Sequence, residues 1–266
     1  MMTLSFIVPM YKVECFVKEC IESILAIPLA PSDYEIIAVD DGSPDQSADI
    51  IQSLMPSHPQ IHLIRQTNQG LSAARNNGLK VAQGEYVWFV DSDDRIISHL
   101  VPNLVQTLQQ IQPDMMRIGA IFESQPGRGN TYTRGWMSAA TAIAEPAREV
   151  CVPLYLYRRA FLVGNALSFL SGIYHEDNEF QPRAVFLAKR VLGYQGEPVY
   201  WVRDNASSIT HTFSYKRVKD IFHTAARQFH HLCFGYWKDA DWAWKKAVLK
   251  NIRWANHSII RYICKR

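Results

Sequence analysis

The stretch Tyr86-Val87-Trp88-Phe89-Val90-Asp91-Ser92-Asp93-Asp94 decides how this chain is to be read. Its first five residues are apolar, β-branched or aromatic, as in a strand covered on both faces. Its last four place three carboxylates directly after that strand. Two of them, Asp91 and Asp93, stand one residue apart and can point into the same cleft, where their hard oxygens suit Mg2+ or Mn2+. An Asp-x-Asp alone is a weak signal, since Asp94 or Ser98 could equally cap a following helix. Its weight comes from the strand ends elsewhere in the chain.

Toward the N-terminus, Leu4 to Val8 is a β-type run ended by Pro9, and residues 13–27 carry helical spacing through Val13, Phe16, Val17, Cys20, Ile21, Ile24 and Leu25. Tyr34 to Val39 reads as a strand, 46–55 as a helix, Ile61 to Arg65 as a strand and 72–82 as a helix. Beyond the central stretch a helix is expected near 98–111, a strand near 115–122 and a loop over 123–138, where Pro126, Gly127, Gly129 and Gly135 fall. Strands spaced by helices imply right-handed crossovers, hence an α/β fold with a mainly parallel sheet flanked by helices. From about residue 216 the pattern is helical only.

The composition agrees. Of 266 residues, 48% are hydrophobic and 20% charged, a folded rather than disordered balance. No run of about 18 uncharged apolar residues appears, so no membrane-spanning helix is expected. Met1 to Pro9 reads as a first strand rather than a signal peptide. Five scattered cysteines, Cys15, Cys20, Cys151, Cys233 and Cys264, fit a reducing cytoplasm better than a disulfide framework. The net charge of +3 hides an asymmetry: residues 216–266 hold twelve Lys or Arg against three Asp, a net of +9 that leaves −6 for the remainder. That segment also carries Trp237, Trp242, Trp244 and Trp254.

In open parallel sheets ligands bind beyond the carboxyl ends of the strands. Pro9-Met10-Tyr11 follows the first strand, Asp40-Asp41-Gly42-Ser43 the second and Asp91-Ser92-Asp93-Asp94 the fourth. A carboxylate at Asp40 or Asp41 can accept from a base imide or a ribose hydroxyl, although Asp, Gly and Ser are also ordinary turn residues. Three such ends form a site that is strongly anionic without a cation.

Taken in order, Ile7-Val8-Pro9-Met10-Tyr11, Val39-Asp40-Asp41-Gly42-Ser43-Pro44-Asp45, Asn68-Gln69-Gly70-Leu71-Ser72-Ala73-Ala74-Arg75-Asn76, Gly84-Glu85-Tyr86 and Asp91-Ser92-Asp93-Asp94 resemble glycosyltransferase family 2. His175-Glu176-Asp177-Asn178-Glu179-Phe180 resembles that family's Glu-Asp segment, and the likeness runs from about residue 4 to 210. It implies the GT-A fold over 1–215, a nucleotide-binding half at 1–95 and an acceptor-binding half at 96–215, with 216–266 as a basic helical extension. It implies a UDP-sugar donor whose base is held by Pro9, Tyr11, Asp40 and Asp41. Arg75 is implied at the base or phosphates, Asp91 and Ser92 at the ribose, and Arg203 near the diphosphate. Asp93, with Asp91, would hold Mn2+ or Mg2+. Asp177 would be the general base, with Glu176 shaping the acceptor site. The chain departs from many relatives at Lys12, where they have Asn, and at Pro153-Leu154.

The chemistry is coherent on its own terms. Inverting transfer needs a base on the acceptor side and charge neutralisation on the leaving-group side. Glu176, Asp177 and Glu179 could otherwise be a solvated first turn of a helix. A sugar-1-phosphate nucleotidyltransferase would need a glycine-rich basic loop after the first strand, where Pro9 to Glu14 stand. A non-catalytic glycan-binding relative is disfavoured by Asp93 and Asp177 together. The expected acceptor is a saccharide or lipid-linked saccharide, with no nucleic-acid partner. Two compatible readings stay open for the tail: Ile252, Ala255, Ile259, Ile260 and Ile263, interleaved with basic residues, form either a helical cap or a face for an anionic membrane.

Overall fold

The computed structural model describes residues 2–124, 136–137, 151–205, 214–235, 237–246, 248–250 and 252. Its central strands are the apolar runs of the sequence. β1 (Leu4–Met10) and β2 (Tyr34–Asp40) are buried along their whole length. β3 (Ile61–Arg65) and β4 (Tyr86–Phe89) complete a parallel set in the order β3-β2-β1-β4. The order reverses between β1 and β4, so a crevice opens beyond their carboxyl ends.

Pro9 does not end the first strand. Its ring removes one N–H, yet it lies within β1 opposite Val39. The carbonyl of Met10 accepts from Asp41 on the β2 side, and that of Ile7 accepts from Val90 on the β4 side. Alternation along the strand aims Pro9 toward β4, whose pairing with β1 stops at Ile7 and Phe89. No ladder bond is lost there, and the two strands diverge.

Helices α1 (Val17–Leu25), α2 (Ser47–Leu54), α3 (Leu71–Val81) and α4 (Val101–Ile111) cover the sheet. α1 buries Val17, Cys20, Ile21 and Ile24, one stripe at i, i+3, i+4 and i+7. Within α3, Gly78 lets the helix approach closely: a Cβ there would meet Ile7 Cγ2 at 2.5 Å. Near the amino-terminal ends of β1 and β2 the buried Glu35 accepts from Ser5 Oγ and the Gln83 N–H, both at 2.6 Å, which ties the turn before β4 to those two strands.

The expected strand at 115–122 is two strands. β6 (Met115–Arg117) stays in the large sheet, whereas β7 (Ala120–Phe122) leaves it. Between them Ile118 donates to Leu154 and Gly119 accepts from Val199, so the chain bends from one sheet into the other. β5 (Arg95–Ile96), β7 and β11 (Tyr200–Val202) form a three-stranded sheet ordered β5-β11-β7. The large sheet continues past β4 through β9 (Tyr155–Arg158), β6, β10 (Val191–Gly193) and β8 (Trp136–Met137), eight strands in all among the described residues. Six share one direction; β9 and β8 run against it, so the sheet is mainly parallel. Trp136–Met137 fall at the end of the stretch read as loop.

Neither expected helix cap is present. α4 starts without a side-chain cap, Ser98 donates to the Ser23 carbonyl, and Asp94 faces β11. Short helix α5 (Arg159–Gly164) follows β9, α6 (Glu176–Leu187) carries the Glu-Asp segment, and α7 (Tyr215–Cys233) packs on α6. Trp237 and Trp244 bury their rings around Phe186 at the end of α6. The described residues of the tail thus pack on the domain through α7, Trp237 and Trp244. The apolar positions Ala255, Ile259, Ile260 and Ile263 lie outside the described residues. No helix among the described residues is long and apolar enough to cross a membrane.

Candidate active site

The motifs at the ends of β1, β2 and β4 meet in the crevice. Met10 sits opposite Asp40 in the sheet, which sets Tyr11 beside the Asp40–Ser43 turn. Asp40 Oδ1 accepts from the Ser43 N–H at 3.0 Å, and Gly42 supplies the φ of +69° that this turn requires. The Lys12 and Val13 N–H groups donate to the Ser43 and Ser47 hydroxyls, so the two loops are stitched together. Tyr11 is exposed, with the Lys12 ammonium 5.3 Å from its ring centre. Asp41 has a different setting from Asp40. Its two oxygens accept from Gln66 Nε2 and the Gln69 N–H at 2.7 Å and from the Gly70 N–H at 2.8 Å, which fixes the entry to α3.

That entry delivers Arg75. Its guanidinium, 1% exposed, donates to Asp91 Oδ1 at 2.9 Å, Glu176 Oε1 at 2.8 Å and Asp177 Oδ1 at 3.0 Å. It also lies over the Phe169 ring. Burial works against its charge, but Asp177, Asp91 and Glu176 outweigh burial and hold it protonated above the ordinary range. The resemblance pointed Arg75 toward base or phosphates; here its charge is committed to three carboxylates, two of them from α6.

The Asp91–Asp94 loop is braced from beneath by β11. Tyr200 Oη accepts from the Asp91 N–H at 3.1 Å and donates to Asp94 Oδ2 at 2.9 Å. The Arg203 N–H donates to Asp94 Oδ1, and Arg203 Nε to the Asp93 carbonyl. The rest of the Arg203 guanidinium pairs with Glu19 of α1 and lies over Phe16. Asn205 donates to Asp93 Oδ2 at 2.9 Å. Ser92 is buried within the loop. Burial first, then the neighbouring charges of Asp91 and Asp93, raises the carboxyl of Asp94; burial followed by Asp93 and Asp177 raises that of Asp91, against the pull of Arg75. Both carboxyls therefore hold their protons more readily than an exposed aspartate does.

A divalent cation fits this donor set. Among the described residues no group of three or more His, Cys, Asp or Glu side chains is arranged to hold a metal ion by itself. Asp93 and Asp91 offer oxygen donors only, each with one side-chain oxygen engaged. A hard cation that keeps waters and takes substrate phosphates as its remaining ligands needs no more from the protein.

Asp177 begins α6 under constraint. His175 precedes the helix at φ 60°, ψ 39°, a left-handed conformation unusual for a residue with a side chain. Asp177 Oδ2 accepts from the Val152 N–H at 3.0 Å. Burial dominates the pKa of Asp177 and pushes it up to about 6, opposed by Arg75.

The turn before α6 is strapped by α7. Asp220 accepts from the Tyr174 N–H at 3.0 Å and from Lys216, Lys216 donates to the Gly172 carbonyl at 2.6 Å, and Arg217 lies 3.5 Å from His175 Nε2. Pro182 inside α6 cannot bond the Asn178 carbonyl, and Gln228 of α7 donates to it instead. Sequence reasoning missed Tyr200, Asn205, Glu19 and Asp220. None of these had a local signal; Pro182 in a helical stretch points instead to Gln228, which takes the carbonyl that the proline leaves.

A mainly parallel sheet with an acidic loop and a polar turn at its topological switch, and a buried arginine joining that loop to the acidic start of α6, define an α/β protein with its polar groups gathered at one crevice. Residues 5–162 match the family described as Glycosyl transferase family 2, and the chain belongs to that family. It is 38% identical over 229 residues to the uncharacterized glycosyltransferase EpsJ of Bacillus subtilis (strain 168), covering 81% of this chain and 65% of EpsJ. The chain thus spans just under two thirds of that relative's length. Among solved structures it resembles S. aureus TarS 1-349, with a TM-score of 0.76 at 23% identity over 97% of this chain and 72% of that one. TarS 1-349 in complex with UDP-GlcNAc superposes with a TM-score of 0.74 at 21% identity, over 94% of this chain and 82% of that one. The mannosyltransferase PcManGT from Pyrobaculum calidifontis, in complex with GDP-Man and Mn2+, gives 0.67 at 15% identity, over 98% and 74%. At these identities the structural likeness speaks for the fold.

Proposed function

We propose that the chain is an inverting glycosyltransferase that moves a sugar from a UDP-sugar to a hydroxyl of a saccharide or lipid-linked saccharide. The observation that carries this is the bridge made by Arg75: one buried guanidinium holds both Asp91 and Asp177, the latter 102 residues from Arg75 in sequence. In this reading Asp91 serves the donor and Asp177 the acceptor, and the two are held to one guanidinium. The complex of TarS with UDP-GlcNAc supports a UDP-linked donor for this fold.

In this reading Pro9, Tyr11 and Asp40 hold the nucleobase, while Asp41 shapes the loop that delivers Arg75. Asp91 and Ser92 face the ribose, and Asp93 with Asp91 would hold Mn2+ or Mg2+. When bound, that cation neutralises charge on the leaving diphosphate. Arg203, tied to the Asp93 carbonyl and Glu19, holds the acidic loop in place from below. Asp177 accepts the proton of the acceptor hydroxyl through a lone pair not used by Arg75 or Val152. The freed oxygen attacks the anomeric carbon as the bond from that carbon to the diphosphate oxygen breaks on the opposite face. Glu176, beside Asp177, shapes the acceptor pocket and shares Arg75 with it. The domain halves at 1–95 and 96–215 follow the same division between donor and acceptor, and a cytoplasmic setting supplies the nucleotide-sugar.

Screening UDP- and GDP-sugars with Mn2+ for donor hydrolysis tests the donor side. Hydrolysis of one or more UDP-sugars that Asp93→Ala abolishes is expected. Equal hydrolysis by Asp93→Ala would remove Asp93 from the metal.

A further inference from the structure

Nine large apolar side chains stand exposed among the described residues, and six of them, Tyr215, Phe222, Phe229, Phe234, Trp242 and Leu249, belong to the last segment. Three fall on α7 at intervals of seven: Tyr215 is 77% exposed, and Phe222 and Phe229 are each 53% exposed. At about 100° per residue they lie within an arc of roughly 40°, one continuous aromatic stripe along a 19-residue helix. The opposite side of the same helix buries Arg217, Asp220, Ile221, Thr224, Ala225 and Gln228 against the body. The aromatic stripe is therefore the outward face of a helix already packed, not a core face left over. Lys219 is exposed on the same helix beside the stripe, while its single acid, Asp220, is turned inward and paired with Lys216.

We infer that this face of α7 is a docking surface for an anionic lipid bilayer. Aromatic rings beside lysines are the composition that settles at the boundary between headgroups and acyl chains. Charge selects the occupant. Residues 216–266 carry +9, whereas the rest of the chain carries −6, so only this end of the molecule suits a negative surface. A second copy docking the same face would bring two +9 segments together, which opposes association. The inference rests on the lipid-linked-acceptor reading for its purpose: because the inward face of α7 holds the turn before Asp177, docking would carry the acceptor side of the crevice to the surface where such a substrate resides.

Co-sedimentation of the full chain with phosphatidylcholine vesicles, with and without phosphatidylglycerol, tests it. The wild type is expected to bind the anionic vesicles only, and less as salt rises. Phe222→Ser with Phe229→Ser should weaken that binding by about tenfold or more, with hydrolysis of the UDP-sugar unchanged as proof of an intact fold. No binding by the wild type, or equal binding by the double variant, overturns the proposal. So does an analytical ultracentrifugation result in which the substitutions convert a dimer to a monomer, since the stripe is then a contact between copies. A wild type that binds vesicles but hydrolyses no donor leaves the surface standing and sinks the transferase reading instead.

Discussion

Arg75 sits with almost no exposure among Asp91, Glu176 and Asp177, and its replacement by an uncharged residue leaves three carboxylates facing one another without their cation. Removing one partner of a buried ion pair costs about 3–5 kcal/mol. Arg75→Gln is therefore expected to lower the melting temperature, by roughly 2–4 °C for each kcal/mol in a chain of this size; an unchanged melting temperature would mean the network contributes nothing. Asp177 gives a second prediction at the same scale. A base works only when ionised, and burial raises this carboxyl to about 6, against about 4 for an ordinary aspartate. Transfer should fall as pH drops through about 6, which a pH profile of kcat reads directly. Individual acids were legible in the sequence because each directly follows an apolar strand or opens a helix. Tyr200 and Asn205 were not, because they reach Asp94 and Asp93 across 106 and 112 positions and no local pattern records that.

Among the elements, the first four strands were readable because each is a fully or mostly apolar run, and α1 and α4 because each has a single buried stripe. The acceptor half was harder. Its strands β6, β9 and β10 are three or four residues long, too short for periodicity to show, and 115–122 divides between two sheets. In the tail, read from the sequence as a helical extension, α7 straps the turn before Asp177. Asp220 acts there as a positioning residue, holding the Tyr174 N–H and Lys216 while His175 keeps its left-handed conformation. Asp220→Ala is expected to lower kcat about tenfold or more, consistent with the sensitivity of catalysis to small misplacements, while the KM for the UDP-sugar is unchanged. Asp220→Asn, which keeps an acceptor oxygen, should recover part of the loss. A parallel rise in donor KM would mark Asp220 as a general structural residue.

Over the whole molecule, the carboxylates proposed for donor and acceptor lie far apart in the sequence and meet only through the fold. β1, β2 and β4 present Asp40, Asp91 and Asp93, α6 presents Asp177, and Arg75 on α3 joins the two sets. The account stands on that division of labour. Its most direct test compares wild type with Asp177→Asn in two assays, UDP binding by calorimetry with Mn2+ present and transfer of the sugar to a saccharide acceptor. Donor affinity within about twofold of wild type, with transfer lowered by 100-fold or more, is the expected result, since general-base catalysis contributes about 10²–10⁴. Normal transfer by Asp177→Asn would contradict the assignment of the base and, with it, the account of the site.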